Sequence, residues 1–215
     1  DIDFAPELAP IPGQRTVMYA PTWEGENEAN NYTSIDLYGV AIVKALLKVD
    51  DVRVVYKPHP RVATTENQNM RSAHEAIVAA IKANKDQTGR AHVISMEGNI
   101  LAMFDAVTAL ITDVSSVGLD FLYSHPEKPM VLTDRRNDRV GLLEEAPVSA
   151  GCAVVDADSL PKLSALLKSA IREDSFAQKR TEIRRFYFGE VQHGDSTALF
   201  VNAIDRLIAD RAAQI

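Results

Sequence analysis

Cysteine is almost absent from this chain of 215 residues: Cys152 stands alone, inside the apolar run Cys152-Ala153-Val154-Val155. A single thiol excludes an intramolecular disulfide and suits a reducing compartment. Long apolar runs are missing as well. None approaches the roughly 20 residues needed to cross a bilayer. The N-terminus has no basic segment followed by an apolar one, so no secretory signal is expected. Positive charge is scarce: 23 Lys and Arg stand against 30 Asp and Glu, a net charge of -7. That balance argues against a general nucleic-acid binder, which presents a basic face, and leaves room for a local basic pocket. There is no Gly-x-Gly-x-x-Gly, no Walker lysine loop and no Gly-x-Ser-x-Gly elbow. His74, His92 and His125 have no mutual spacing that suggests a metal site, and no cofactor is implied.

What the chain does have is an ordinary globular composition, 46% apolar and 25% charged, enough for a sizeable core in one large domain. Residues 1–15 are acidic and proline-rich (Pro6, Pro10, Pro12). They read as the tail of a linker from a missing N-terminal region, with a single domain over 16–215. Within it, short β-branched runs alternate with longer helical patterns. Strands are expected at Thr16–Ala20, Val52–Tyr56, His92–Ile94, Val107–Thr112, Pro129–Thr133 and Cys152–Val155. Helices are expected at Ile35–Val49, Met70–Ala83 (closed by Asn84), Ile100–Phe104 (capped by Asn99), Val117–Tyr123, Ser159–Ile171, Phe176–Tyr187 and Thr197–Ala212. Strands joined by helices predict a doubly wound, Rossmann-like α/β fold with a parallel sheet of about six strands. In such sheets ligands bind beyond the carboxyl ends of the strands, at the switch point.

The segments that follow the strands are where chemistry is expected. Ile111-Thr112-Asp113-Val114-Ser115-Ser116-Val117-Gly118 runs a buried strand into a helix start bearing two serines. A helix N-terminus carries free N–H groups and partial positive charge, so it takes phosphate well. Ser115 or Ser116 can cap the helix, contact phosphate, or both. Asp113, repelled by phosphate, is expected to order the turn. Lys57-Pro58-His59-Pro60 fixes His59 at a strand end, where it can donate to a phosphoryl oxygen or protonate a leaving group. Gly194-Asp195-Ser196-Thr197 offers a second capped helix start. Tyr19-Ala20-Pro21-Thr22-Trp23 holds the only Trp, for packing or for the pocket mouth. Arg135, Arg136 and Arg139 read as a solvated loop.

Taken in order, these segments form a set: Tyr-Ala-Pro-Thr-Trp, Lys-Pro-His-Pro, Thr-Asp-x-Ser-Ser-Val-x-x-Asp-Phe, Lys128-Pro129-Met130-Val131-Leu132 with Asp134, and Gly194-x-Ser/Thr at the last helix. Over residues 16 to 210 the chain resembles the C-terminal half of the CDP-glycerol glycerophosphotransferases, the teichoic-acid primases and polymerases. The resemblance implies a GT-B arrangement, of which this chain would be the donor-binding half. It implies His59 in transfer. It also implies donor or phosphate contacts from Thr22, Lys57, Thr112, Ser115, Ser116, Asp134, Gly194, Asp195, Ser196 and Thr197. The implied donor is CDP-glycerol or a related CDP-alcohol. The acceptor, lipid-linked or a polyol phosphate, would be reached through the missing half. The implied location is cytoplasmic, peripheral at the inner face of a bacterial cell membrane. Two departures stand out. His193 occupies a position that is usually acidic in the family. The family's His-Gly-Thr motif, a source of the catalytic base, lies in the other half, so this chain alone is expected to bind donor without transferring. A nucleotide-sugar glycosyltransferase or epimerase of the same architecture, or a non-catalytic nucleotide-binding module, are the other readings.

Overall fold

The computed structural model of the chain describes residues 8–192 and 194–212. Six parallel strands form one sheet in the order β3-β2-β1-β4-β5-β6. They are β1 (Arg15–Ala20), β2 (Val52–Tyr56), β3 (Val93–Ile94), β4 (Ala109–Thr112), β5 (Met130–Thr133) and β6 (Ala153–Val155). The helices between and after them are α1 (Val40–Leu47), α2 (Gln68–Thr88), α3 (Ile100–Met103), α4 (Ser116–Ser124), α5 (Arg139–Glu145), α6 (Leu163–Arg172), α7 (Ala177–Phe188) and α8 (Ser196–Ala212). This is the doubly wound Rossmann-like arrangement expected from the alternating pattern.

Period-2 alternation along β1 explains how one strand serves two cores. Val17 and Tyr19 face a cluster built with Ile42, Leu46, Ile77 and Leu167 from α1, α2 and α6. Met18 and Ala20 face the opposite cluster, with Phe104, Phe121, Leu122 and Leu142. Both faces are covered, so the strands are mostly apolar, with Thr16 and Arg53 as buried polar members of β1 and β2. The chain winds outward from β1 to β3, then restarts at β4 on the other side of β1. The switch point therefore lies between β1 and β4, and the segments after these strands diverge there.

Several expected boundaries moved. α2 does not close at Asn84 but runs to Thr88, ending on Gly89 in the left-handed region (φ 69°). Asn84 stays helical because its side chain is engaged by His92 Nε2 at 2.9 Å and by the Thr88 hydroxyl. The expected helix at Ile35 opens with a wide turn, Ile35–Gly39, before α1. α5 was unforeseen; Asp138 caps it by accepting the Gly141 N–H. Within the segment read as linker, Leu8 is fully buried, and Arg53 donates to the carbonyls of Leu8 and Ala9 at 2.9 Å. Residues 1–7 lie outside the described residues. Cys152 is buried, and burial pushes its thiol up to about 12. No helix among the described residues is long and apolar enough to cross a membrane.

Candidate functional site

The loops after β1, β2 and β4 meet in a crevice of about 560 Å³, lined among others by Thr22, Trp23, Lys57, His59, Ser115 and Ser116. This volume is within the usual range for small-molecule sites, and its position is the switch point.

Its frame is Asp113. The carboxylate is wholly buried and accepts the Thr22 N–H and the Thr133 hydroxyl, each at 2.7 Å. One side chain thus ties the loop after β1 and the end of β5 to the turn after β4. Burial raises Asp113 to about 6, while hydrogen bonds from Ser34, Thr133 and Thr22 pull the other way. It orders the turn, as its charge led us to expect. Thr112 has the same structural duty. Its hydroxyl donates to the Ala20 carbonyl at 2.8 Å, and the residue is fully buried behind the crevice rather than lining it. Its hydroxyl is committed to the backbone, and Thr112 is not among the residues that line the crevice.

On this frame sits the N-terminus of α4. Ser115 is its N-cap in extended geometry, yet its side chain makes no cap hydrogen bond. The Ser115 hydroxyl oxygen is buried and has no hydrogen-bond partner. Native structures rarely leave a buried hydroxyl unsatisfied. Gly118 allows α4 to settle against the sheet: a Cβ there would come 3.4 Å from Thr112 Cγ2. The first amides of α4 have no intrahelical acceptor and open at the crevice, where Ser115, Ser116 and Val117 form the wall.

The loop after β2 supplies the cations and the imidazole. The Lys57 and His59 N–H groups donate to the Tyr19 and Pro21 carbonyls, prolonging the β1–β2 pairing into the loop. Lys57 is buried, only 6% exposed, and makes no ion pair among the described residues. Burial lowers its pKa. His59 Nδ1 accepts the Arg61 N–H at 3.2 Å. In the neutral ring this puts the proton on Nε2, where it can be donated. Partial burial, then Arg61 and Lys57, lower the His59 pKa. At neutral pH the ring is thus a hydrogen-bond donor more than a charged acid. Trp23 packs against it at 6.1 Å between ring centroids, and the Arg61 guanidinium lies 4.2 Å over the Trp23 ring. The lone Trp lines the pocket, as its place after β1 allowed.

The structure gathers Thr22, Lys57, His59, Ser115 and Ser116, and leaves the remaining expected residues elsewhere. Asp134 lines a separate, smaller cavity. Gly194, Asp195, Ser196 and Thr197 are not part of the crevice, and every described residue of α8 is exposed. His193 lies outside the described residues. Of the arginines after β5, read as a solvated loop, Arg136 and Arg139 are exposed, but all three are ion-paired: Arg135 with Asp36 at 2.6 Å, Arg136 with Glu145 at 2.5 Å and Arg139 with Asp156 at 2.6 Å. Sequence reasoning missed Gly25, Glu26, Asn30, Tyr32, Gly98 and Ile100, which also line the crevice. Gly98 and Ile100 follow β3, so the strand-end rule applied to that strand would have found them. No cluster of His, Cys, Asp or Glu among the described residues could hold a metal.

Residues 4–205 match the sequence family described as CDP-glycerol:poly(glycerophosphate) glycerophosphotransferase. No curated protein matches the chain in sequence. Among solved structures, the wall teichoic acid polymerase TagF superposes with a TM-score of 0.53 at 17% identity, over 95% of this chain and 46% of that one. An α,α-trehalose-phosphate synthase (UDP-forming) from Burkholderia xenovorans gives 0.56 at 11%, over 90% and 44%. An α,α-trehalose 6-phosphate synthase from Burkholderia multivorans gives 0.56 at 16%, over 97% and 45%. At these identities the likeness is one of fold, and it is a GT-B fold. The chain spans less than half the length of these solved proteins. With a match over nearly its whole length, this chain belongs to the CDP-glycerol:poly(glycerophosphate) glycerophosphotransferase family.

Proposed function

We propose that this chain, over residues 16–215, is the donor-binding half of a transferase that moves glycerol phosphate, or another polyol phosphate, from a CDP-alcohol to an acceptor hydroxyl. The product would be a teichoic-acid-type cell-wall polymer. The observation that carries the reading is the buried, unpartnered hydroxyl of Ser115 at the start of α4, in the same crevice as the unpaired Lys57. A diphosphate supplies what both lack: acceptor oxygens and negative charge. Family membership supports the CDP-alcohol as its bearer.

In the proposed reaction an acceptor oxygen bonds to the glycerol-bearing phosphorus. The bond from that phosphorus to the bridging oxygen breaks, and CMP leaves with the electron pair. The α4 amides, the Ser115 and Ser116 hydroxyls, Lys57 and the Nε2–H of His59 meet the charge on the phosphoryl oxygens, and Thr22 closes the adjoining wall. Positioning and electrostatics are the catalytic contribution. The acceptor's proton goes to a base outside this chain, so the isolated chain binds donor without transferring. The lipid-linked or polyol-phosphate acceptor, and a peripheral place at the inner membrane face, belong to the same proposal.

A thermal-shift panel of CDP-glycerol, CDP-ribitol, CMP, UDP-sugars and GDP-sugars tests it. A ligand at a hundred times its Kd stabilises the fold by about 2.7 kcal/mol, and the cytidine compounds are expected to do so. Preference for UDP-sugars over every cytidine compound would move the chain to the nucleotide-sugar glycosyltransferases or epimerases. If His59→Ala left transfer by the whole protein intact, a non-catalytic binding module would be the better reading.

A further inference from the structure

A smaller cavity of about 80 Å³ adjoins the crevice and shares Tyr32 and Val114 with it as walls. Thr133, Asp134, Arg135, Arg136, Asp138 and Glu145 are the polar residues of its remaining wall. Most of its polar groups are committed. The Thr133 hydroxyl donates to Asp113. Asp138 accepts the Gly141 N–H at 3.0 Å. Arg136 pairs with Glu145 and lies 4.5 Å over the Tyr32 ring. Arg135 is held by Asp36. Asp134 is the exception. Its Oδ1 accepts the Arg136 N–H at 3.0 Å. Its Oδ2 is buried without any hydrogen-bond partner, in a residue only 3% exposed.

A buried carboxyl oxygen left without a partner is costly, and each such group in a folded protein calls for a reason. The two neighbouring guanidiniums are directed to other acids, so they do not satisfy it. A phosphate would be repelled by the carboxylate. What suits Oδ2 is an uncharged hydroxyl donor. Size narrows the choice. At about 30 Å³ per water the cavity of about 80 Å³ has room for about two or three waters. That suits the hydroxyl-bearing end of a short polyol, whereas a hexose carries about four times as many heavy atoms as this space holds.

We propose that Asp134 and this cavity form the subsite for the short polyol of the donor, with Oδ2 accepting one of its hydroxyl protons. The inference rests on the reading above, in which the crevice holds the diphosphate to which that polyol is esterified. It gives Asp134 a role distinct from phosphate contact: Asp134 sets which alcohol is accepted.

Calorimetric titration of the chain with CDP, CDP-glycerol and the CDP ester of 1-propanol, which lacks both free hydroxyls, tests this. CDP-glycerol is expected to bind about tenfold more tightly than the propanol ester, the worth of one hydrogen bond to a charged group. Asp134→Asn keeps an acceptor for Arg136 and replaces Oδ2 with a donor. It is expected to shrink the preference to about twofold or less while leaving CDP affinity within about twofold. Equal binding of the two esters by the unaltered chain overturns the inference, as does a variant that retains the preference. The ester comparison decides the matter even if the variant does not fold. If CDP binds and the hydroxyls make no difference, the polyol subsite alone fails. If none of the three ligands binds, the donor reading fails and this inference with it.

Discussion

Two helix N-termini in this chain carry the same local chemistry and have different fates. Ser115-Ser116 opens α4, and Asp195-Ser196 opens α8. Both offer a hydroxyl or carboxylate cap, and both were read from sequence as phosphate contacts. At α4 the cap hydroxyl is buried and unpartnered, and the helix is seated on the sheet at the switch point. At α8 the start is self-contained: Asp195 accepts the Gln192 N–H at 3.3 Å and donates its own N–H to the Gln192 carbonyl at 3.1 Å. α8 is exposed along its described length, including Leu199, Phe200, Leu207 and Ile208. The two starts carry similar residues, and only the one at α4 combines a place in a crevice with unmet hydrogen-bonding capacity.

Substitutions can break or sharpen this contrast. The largest effect is expected at the frame of the first site. Asp113 has a folded pKa of about 6, raised from 3.8. Its ionisation therefore works against the fold: its contribution is fully present below the unfolded value and is lost as pH rises through about 6. The difference amounts to about 3 kcal/mol. Chemical denaturation from pH 3.5 to 7 should show the parent chain losing ground over that window relative to Asp113→Asn, and parallel curves would refute the assignment. Lys57→Met removes a buried cation whose burial already disfavours its charge. Calorimetry is expected to show CDP binding about 10- to 100-fold weaker, from loss of a charge-assisted contact. The melting temperature should stay unchanged or rise. For Ser115→Ala the expected loss in CDP affinity is about fivefold. Removing an N-cap serine ordinarily costs about 1 kcal/mol of stability. Here no loss is expected, because the hydroxyl makes no cap bond. A drop in melting temperature without a change in affinity would make Ser115 a simple cap. The smallest effect belongs to α8: Asp195→Ala should leave CDP affinity of this chain within about twofold, and a larger loss would bring α8 back to the crevice.

The fold was legible because its signals are local. Short apolar runs such as Val54–Tyr56 and prolines at the strand exits announce buried parallel strands. The turn from β4 into α4 was legible for the same reason, since strand, turn and helix start lie in one stretch from Ile111 to Gly118. Which neighbours a side chain meets was not legible. Thr112 looks available in sequence, and its hydroxyl is taken up by Ala20, 92 positions away. Arg135, Arg136 and Arg139 look like a free basic loop because their acidic partners are scattered from Asp36 to Asp156. Asp134 was singled out through family resemblance, but its unsatisfied oxygen and the cavity beside it emerge only in three dimensions.

Backbone amide chemical-shift mapping with CDP tests the central claim most directly. If the diphosphate sits at the start of α4, the largest perturbations fall on Ser115, Ser116 and Val117, with companions at Thr22 and His59, while Asp195, Ser196 and Thr197 stay unmoved. Strong perturbation of Asp195–Thr197 with a silent Ser115–Val117 would place the phosphate at the other helix and contradict the account.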